Sequence, residues 1–446
     1  MKKIFFLLAF PLNLLAQKDY PALLDKYMQD RANVIGFTGT VLVAKKGKII
    51  YEKAFGMADR ELKVPNTIQT KFQIGSITKQ FTAAAILQLV QAGKISLDDK
   101  LSKYFQDFPK ADSVTIHMLL THTSGIKNYT EIPEFSIIAT LPFEKDTMVA
   151  LIKKQPFDFS PGSQMRYSNS GYYLLGYIIE KVTGKSYSDY VFENVIQKAG
   201  LKNTCVNRWD TVLSYRAKGY WKTPTVWKNA PYISMEGPYS AGAIISTIED
   251  LYQWNNALFS DKILPPALFT KMITPYLYHY GYGLIIDTFQ YHLRIAHSGG
   301  IPGFVSNLSR FPSDEVVVAA LSNNENTHID GIVNTLACII LDVPLITPYK
   351  HKQMILDSLQ LNRFVGKYIQ EGATKADTIK TREGKIYWHP WWGQEFLLKP
   401  ESKTKLFLVD RTWYDLQFEF DMDSNGKIIK AYVIIDGLKT QMKKED

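Results

Sequence analysis

Hydrophobic residues in this chain follow two periods, and their order predicts a sheet with a helical region inserted into it. Strand-like segments at 38–44 and 49–55 flank a Lys-Lys-Gly-Lys turn, which predicts an early hairpin. Four more strand-like segments come late in the chain, at 281–286, 292–297, 303–311 and 315–321. Helices are predicted at 19–32, 76–92, 97–104, 116–121, 170–183, 187–199, 241–258 and 328–341. This order predicts a mixed α/β (α+β) fold, in which the N- and C-terminal strands meet in one antiparallel sheet flanked by helices.

The pattern changes after Pro344, where strand-like segments replace helical ones. Between 414 and 423 hydrophobic and polar residues alternate strictly, with Tyr414, Leu416, Phe418, Phe420 and Met422 on one face. An Asn-Gly turn at 425–426 and a second strand follow, which is typical of an antiparallel meander. We therefore predict a domain at 17–345, a linker at 346–359 and a small all-β barrel or sandwich at 360–446.

A nearly continuous apolar helix is predicted to begin at Ser76. Its hydrophobic residues recur at steps of four from Ile77 to Leu89, which indicates a helix buried in the centre of a domain. Lys79 lies one turn after Ser76 and on the same face, so it can activate the serine hydroxyl as a base or a cation. The spacing alone is weak evidence, because serine–lysine pairs at 124/127, 402/405 and 424/427 share it. The alternative is a serine that caps the helix and a lysine on the surface.

Composition narrows the class of protein. The 446 residues are 46% hydrophobic, which is enough for a large core, and the formal charge of +9 is scattered without a basic run or nucleic-acid motif. Residues 1–16 combine two early lysines with a short apolar run, which predicts a signal peptide and a periplasmic or secreted bacterial protein. We expect no stable membrane span after cleavage. Two cysteines, Cys205 and Cys338, are too few for a disulfide framework, and a single disulfide between them is the alternative.

Two further clusters carry candidate chemistry. Tyr167-Ser168-Asn169 precedes a predicted helix, and a tyrosine whose pKa is lowered by a lysine ammonium could take the serine proton and return it to a leaving group. Asn169 could donate to a substrate carbonyl or hold the lysine. The alternative is a polar loop that only caps the helix.

The second cluster is His297-Ser298-Gly299-Gly300, at the end of a predicted strand. Glycines there let a substrate backbone approach, and a backbone N–H could form an oxyanion hole together with that of Ser76. His297 could hydrogen-bond a substrate group, although a lone histidine is more often structural.

Taken together, Ser76-x-x-Lys79, Tyr167-Ser168-Asn169 and His297-Ser298-Gly299 resemble the three motifs of the serine β-lactamase/penicillin-binding-protein superfamily. Their order and separations are similar to those of its branch of class C β-lactamases, D-aminopeptidases and esterases, and the resemblance covers roughly residues 20–340. It implies a β-lactamase/transpeptidase-like antiparallel sheet with the active site between sheet and helices. The C-terminal part resembles the small lipocalin-like domains appended to such proteins.

The resemblance also implies roles for individual residues. Class C β-lactamases carry a lysine at the position of His297, where it contacts the substrate carboxylate, so the histidine weakens the case for an efficient β-lactamase. The roles carried over are Ser76 as nucleophile, Lys79 as its activating partner, Tyr167 as general base and then acid, Asn169 as a substrate and lysine contact, His297 and Gly299 as the third motif, and Gly300 as the second oxyanion N–H.

The function predicted from the sequence is an exported serine hydrolase that forms an acyl-enzyme on an amide, peptide or ester. Its substrate would be a small molecule or peptide, for example one derived from peptidoglycan, and it would need no metal or other cofactor. The alternative is a protein on the same fold that binds penicillin or peptidoglycan peptides without turnover. The G-x-S-x-G elbow of α/β-hydrolases and the H-E-x-x-H zinc motif are absent from the sequence.

Overall fold

The structure, a computed structural model, describes residues 18–34, 36–208, 210–223, 226–346, 349, 351–393, 395–408 and 415–445. The predicted signal peptide at 1–16 and the predicted place of Tyr414 lie outside these residues. The α-helices are α1 Tyr20–Val34, α2 Thr78–Gln91, α3 Ile116–Leu120, α4 Pro133–Ile138, α5 Lys145–Lys153, α6 Asn169–Thr183, α7 Tyr187–Val191, α8 Gln197–Ala199, α9 Tyr239–Gly242, α10 Ile248–Leu258, α11 Pro266–Ile273, α12 Ile329–Ile340 and α13 Ser358–Asn362.

The strands form one large sheet, one barrel and three small ribbons. Those outside the barrel are β1 Gly39–Lys45, β2 Lys48–Phe55, β3 Met57–Asp59, β4 Val64–Pro65, β5 Phe72–Gln73, β6 Cys205–Val206, β7 Tyr220–Lys222, β8 Trp227–Asn229, β9 Ile244–Ser246, β10 Ile285–Phe289, β11 His292–Ile301, β12 Phe304–Phe311 and β13 Val316–Ser322. Those of the barrel are β14 Gly366–Gln370, β15 Asp377–Arg382, β16 Lys385–His389, β17 Phe396–Pro400, β18 Lys405–Leu408, β19 Leu416–Met422, β20 Ile428–Ile435 and β21 Leu438–Glu445.

The large sheet is antiparallel and combines strands from residues 39–55 with strands from residues 285–322. Its strand order is β10-β11-β12-β13-β1-β2, with β1 paired to β13 from Gly39 opposite Ser322 to Lys45 opposite Val316. The prediction that N- and C-terminal strands meet is therefore confirmed.

The sheet has a hydrophobic core on each face, because neighbouring residues of a strand point to opposite sides. Leu42 and Ala319 face the core that contains α2, α6 and α10. Val41 and Val318 face a second core formed with α1 and α12. Helix α2 is buried along most of its length, and Phe81 on it stacks on Trp254 of α10 with ring centroids 4.0 Å apart.

The C-terminal strands close into an eight-stranded barrel in which β21 returns to pair with β14. Side chains such as Ile379, Phe418 and Val433 are buried inside it. The prediction of an all-β domain is confirmed, and of the two predicted forms the structure shows a barrel. The domain limits given above stay a prediction.

The barrel docks through the turn between β20 and β21. Asp436 in that turn accepts a hydrogen bond from Arg31 Nη2 at 2.5 Å, and its other carboxylate oxygen lies 2.7 Å from His328 Nδ1. Its main-chain oxygen accepts from Thr335 Oγ1 at 3.0 Å. These partners lie on α1, on α12 or directly before α12, so this contact is on the sheet face opposite α2.

Several predicted elements differ from the structure. The predicted helix at 97–104 is only a 3-10 turn at Leu101–Lys103, because the flanking backbone pairs with residues 114–115 instead. The strand expected at 281–286 lies at Ile285–Phe289. Helices α4, α5 and α11 were not predicted; two of them begin at a proline, which the first turn of a helix tolerates because its N–H needs no partner there.

Two chemical expectations about the whole chain can be compared with the structure. Cys205 and Cys338 are both free, and Cys338 is buried in α12 as expected of a small apolar side chain. Among the described residues no helix is both long enough and apolar enough to cross a bilayer.

Candidate active site

Ser76 lies in a 3-10 turn, Gly75–Ile77, immediately before α2. The sequence placed the start of the helix at Ser76 itself, two residues early. Gly75 has φ +51°, a conformation that favours glycine, and a Cβ there would lie 2.8 Å from the nitrogen of Gly300. The turn therefore presses the nucleophile segment against β11, and the Ser76 side chain stays partly exposed.

Lys79 is fully buried and makes three hydrogen bonds. Its Nζ donates to Ser76 Oγ at 3.0 Å, to Asn169 Oδ1 at 2.8 Å and to the main-chain oxygen of Ala241 at 2.8 Å. A neutral amine fits the same three partners, because it can donate to Asn169 and Ala241, which only accept here, and accept the proton of Ser76.

The surroundings of Lys79 favour the neutral amine. Burial lowers the pKa of Lys79 well below its ordinary value of 10.5, and no carboxylate is among the causes that shift it. The lysine is therefore suited to accept the serine proton.

Tyr167 lies beside Lys79, whose Nζ is 4.9 Å from the centroid of the ring. We expected the lysine to lower the pKa of this tyrosine, and that expectation is wrong: burial raises the pKa above its ordinary value of 10.0, and Ser76 offsets only part of the rise. The physical reason is that burial of the phenol is the largest cause of the shift, and Lys79 is not among its causes. The Tyr167 hydroxyl is buried without a well-formed hydrogen bond, so it remains a protonated phenol facing the site.

Asn169 is the first residue of α6 and holds the lysine, one of its two expected roles. Its Oδ1 accepts from Lys79, and its Nδ2 donates to Asn128 Oδ1 at 3.3 Å. Ser168 makes no side-chain capping bond, so helix capping does not explain the Tyr-Ser-Asn segment.

His297 differs from its expected role. It is buried, its Nδ1 lies 2.5 Å from the carbonyl oxygen of Ser298, and its Nε2 lies 2.9 Å from Tyr280 Oη. The carbonyl can only accept, so Nδ1 carries the proton and Nε2 accepts from the tyrosine. Burial and the nearby Lys79 lower the pKa of His297 to about 3, which leaves the ring neutral. Neither ring nitrogen is free for a substrate in this arrangement.

The two glycines of the third cluster face different surroundings. A Cβ on Gly299 would overlap the carbonyl oxygen of Ile74, whereas a Cβ on Gly300 would meet nothing within 4 Å. Strand β10 stops pairing with β11 at Ala296, so residues 297–301 have β12 on one side only. Their other edge pairs with no strand in the described part of the chain.

Three participants were not identified from the sequence. The Ala241 carbonyl, His122 and Tyr280 all lie within this cluster. The ring of His122 packs on that of Tyr167 with centroids 4.3 Å apart. Within the described part of the chain, no group of three or more His, Cys, Asp or Glu side chains could hold a metal ion.

The buried Lys79, which joins a serine, an asparagine and a main-chain carbonyl beside a six-stranded antiparallel sheet, agrees with the resemblance to serine β-lactamases and penicillin-binding proteins. The Beta-lactamase family model matches residues 23–337, and the chain belongs to that family.

Relatives and solved structures agree with this assignment. The chain is 29% identical to penicillin-binding protein 4* of Bacillus subtilis (strain 168), over 86% of this chain and 91% of the relative. The D-amino acid amidase of Ochrobactrum anthropi SV3, complexed with L-phenylalanine, has a TM-score of 0.65 at 26% identity, over 73% of this chain and 98% of that one. The octameric penicillin-binding protein homologue of Pyrococcus abyssi has a TM-score of 0.66 at 25% identity, over 95% of this chain and 99% of that one.

Proposed function

We propose that this protein is an exported serine hydrolase that cleaves an amide, peptide or ester through an acyl-enzyme on Ser76. The observation that carries the proposal is the 3.0 Å contact between Ser76 Oγ and the Nζ of a lysine whose pKa is lowered by burial. A serine hydroxyl needs such a base to attack a carbonyl at neutral pH.

In acylation the hydroxyl proton of Ser76 passes to neutral Lys79 while Oγ bonds to the substrate carbonyl carbon. The backbone N–H groups of Ser76 and Gly300 are assigned to the resulting oxyanion. Tyr167, as a neutral phenol, gives its proton to the leaving group and recovers one from the lysine ammonium. Deacylation reverses the path, with water in place of the leaving group and its proton accepted by the same pair.

The substrate class proposed is an amide or ester of an amino acid or short peptide. Neutral His297, with both nitrogens bonded, offers no cation to a substrate carboxylate. The similarity to a D-amino acid amidase favours the same class. Gly300, over which nothing lies within 4 Å, and the unpaired edge of β11 give an extended substrate a place to lie.

A second candidate function is a binding protein that acylates without turnover. The similarity to penicillin-binding protein 4* over most of both chains favours it. It uses the same serine, so the two candidates differ only in the fate of the acyl-enzyme.

The experiment that tests the proposal is intact-protein mass after incubation with a fluorophosphonate and, separately, with a penicillin. One fluorophosphonate adduct is expected on the wild type and none on Ser76→Ala. Ser402→Ala is the matched control, because Ser402 and Lys405 share the spacing but lie in the barrel, and it should label fully. A persistent penicillin adduct would favour the binding protein, and unchanged labelling of Ser76→Ala would refute the proposal.

Export is a separate part of the proposal. If residues 1–16 are removed on secretion, N-terminal sequencing of protein recovered outside the cytoplasm should begin at Gln17. An intact Met1 in that fraction would contradict cleavage.

A further inference from the structure

His122 brackets Tyr167 through the main chain on both sides of it. The main-chain oxygen of His122 accepts a hydrogen bond from the N–H of Arg166 at 3.0 Å. Its ring Nδ1 lies 3.1 Å from the N–H of Ser168. From these contacts we propose that His122 is a positioning residue that holds Tyr167 against Ser76, an inference that rests on the function proposed for Tyr167.

The ring of His122 also covers the tyrosine side chain. The two ring centroids are 4.3 Å apart and the planes are inclined by 37°, so the rings are in van der Waals contact. Tyr280 closes a further side, at 4.6 Å from His122 and 6.2 Å from Tyr167. The tyrosine hydroxyl has no well-formed hydrogen bond of its own, so these packing and main-chain contacts are what fix its direction.

The ring of His122 is tied to Ser168 through Nδ1. Ser168 is the N-cap of α6, where the carbonyl accepts the first hydrogen bond of the helix and the N–H must find a partner outside it. Nδ1 lies 3.1 Å from that N–H and also 3.1 Å from the carbonyl oxygen of Ser168, so in either neutral form the ring bonds to Ser168 through Nδ1. Burial holds the pKa of His122 well below its ordinary value, in agreement with a neutral ring.

The backbone of His122 supports the same role. Its φ is +58°, a conformation uncommon for residues with a side chain and often found at functional sites. Thr121 and Thr123 on either side bond to each other through their hydroxyls at 2.9 Å. This turn directs both the carbonyl and the ring of His122 toward residues 166–168.

The test separates positioning from simple structural support by a double-mutant cycle. His122→Ala should lower kcat by about 100-fold with little change in KM, because a small displacement of a catalytic group costs that much. In a Tyr167→Phe background, His122→Ala should change kcat by less than about twofold, since residues that act through one another are not additive. His122→Asn should retain most activity, because Asn adopts positive φ and its Oδ1 can accept from Ser168.

Thr121→Val is the matched structural control. It removes a buried hydroxyl from the same turn without touching residues 166–168. Its effect on kcat should be small and should add to that of Tyr167→Phe.

The outcomes separate the two proposals. Additive losses in the His122 cycle, or an inactive but folded His122→Asn, would overturn the positioning role while Ser76 labelling stays intact. Fluorophosphonate labelling that does not depend on Ser76 would instead overturn the proposed function. A circular dichroism spectrum and unfolding temperature close to the wild type qualify each variant for the cycle. His122→Gly, which adopts the φ of +58° without strain, replaces His122→Ala if the latter does not fold.

Discussion

At the scale of single residues, the site relies on desolvation more than on charge. Lys79 is buried without a carboxylate partner, and Tyr167 and His297 are buried beside it. Burial disfavours the ionised form of each group, so all three are held neutral. A neutral lysine can accept the serine proton, and a neutral tyrosine can give one to the leaving group.

Replacing the lysine by arginine tests this assignment. Lys79→Arg keeps a cation but cannot release its proton, so acylation should fall by about 100- to 10,000-fold. In the wild type kcat/KM should rise with pH through the folded pKa of Lys79, which lies well below 10.5, because only the unprotonated amine accepts a proton. The measurement is the pH profile of acylation by a chromogenic ester. A rate that rises only near pH 10.5, or an active Lys79→Arg, would contradict a neutral lysine base.

The neutral His297 leads to a prediction about substrates. Two peptides that differ only in a free or amidated C-terminus should be distinguished, with kcat/KM higher for the amide by about tenfold, because one unpaired carboxylate near the site costs on the order of 1 kcal/mol or more. The measurement is steady-state hydrolysis of the pair. Tyr280→Phe is the control, because it removes the hydroxyl that occupies Nε2 and should narrow the difference. Preference for the free acid would show that another cation serves the carboxylate.

The sequence predicted Ser76, Lys79, Tyr167 and Asn169 as one cluster, and the structure brings them together. It could not predict the Ala241 oxygen, because every residue has a main-chain carbonyl and nothing in the side chain marks which one is used. The pKa of Tyr167 was predicted with the wrong sign because burial depends on distant elements, such as the loop of His122 and Tyr280. In the same buried setting, both ring nitrogens of His297 are bonded to protein groups, so neither is free for the substrate.

At the scale of secondary-structure elements, the close approach of β11 to the Gly75–Ile77 turn positions the nucleophile. Ser306 Oγ of β12 donates to the carbonyl oxygen of Ile74 at 2.8 Å, which ties the turn to the sheet. Gly299 leaves the space that this carbonyl needs. The distance between the turn and β11 is thus set by main chain packed on main chain.

Adjacent glycines in β11 offer a matched pair of variants. Gly299→Ala should lower the free energy of unfolding by about 1–3 kcal/mol, because its Cβ overlaps the carbonyl oxygen of Ile74. Gly300→Ala should leave the free energy of unfolding unchanged or raise it by about 0.4–1 kcal/mol, because its Cβ meets nothing. Urea unfolding of both variants is the measurement. Equal stabilities would mean that β11 and the turn move apart without cost.

Periodicity predicted the large sheet and helix α2 well, since both have long, regular apolar patterns. Helices α4, α5 and α11 were not predicted, because they are short and because nearby prolines were interpreted as helix breaks. The helix predicted at 97–104 failed because its backbone pairs with residues 114–115, a non-local contact that a window along the chain does not contain.

At the scale of the whole molecule, the barrel is attached through a buried charged turn. Burial alone would raise the pKa of Asp436, but the bond to His328 and the charge of Arg31 outweigh it and leave the pKa below its ordinary value of 3.8. Alternation along β19 was enough to predict an all-β domain. Which strand closes the barrel, and where it docks, depends on pairings between distant residues that alternation does not encode.

Removing the carboxylate should weaken this attachment. Asp436→Ala leaves Arg31 buried without its partner, so the free energy of unfolding should fall by about 3–5 kcal/mol. Glu193→Ala, which breaks an exposed ion pair with Lys185, should cost about 0–1 kcal/mol. Calorimetry is the measurement, and in Asp436→Ala the barrel should unfold in a separate, earlier transition.

The pH dependence of the same attachment has a definite sign. A carboxylate with a lowered folded pKa adds stability above its unfolded pKa, and that stability is lost as pH falls below 3.8 toward the folded value. The barrel transition of the wild type should therefore shift down across that range, and that of Asp436→Ala should not. Parallel shifts in both would assign the effect to other groups.

The closing strand of the barrel has a consequence for biosynthesis. Strand β21 is the last barrel strand to leave the ribosome, and the Asp436 turn lies 405 residues after Arg31. The barrel therefore cannot close, and Arg31 cannot pair with Asp436, until the residues up to β21 have been synthesised. A transcript that ends before β21 would give a chain in which β14 and β20 each have an unpaired edge and Arg31 lacks Asp436. Unpaired strand edges promote aggregation, and such chains are substrates of quality-control proteases.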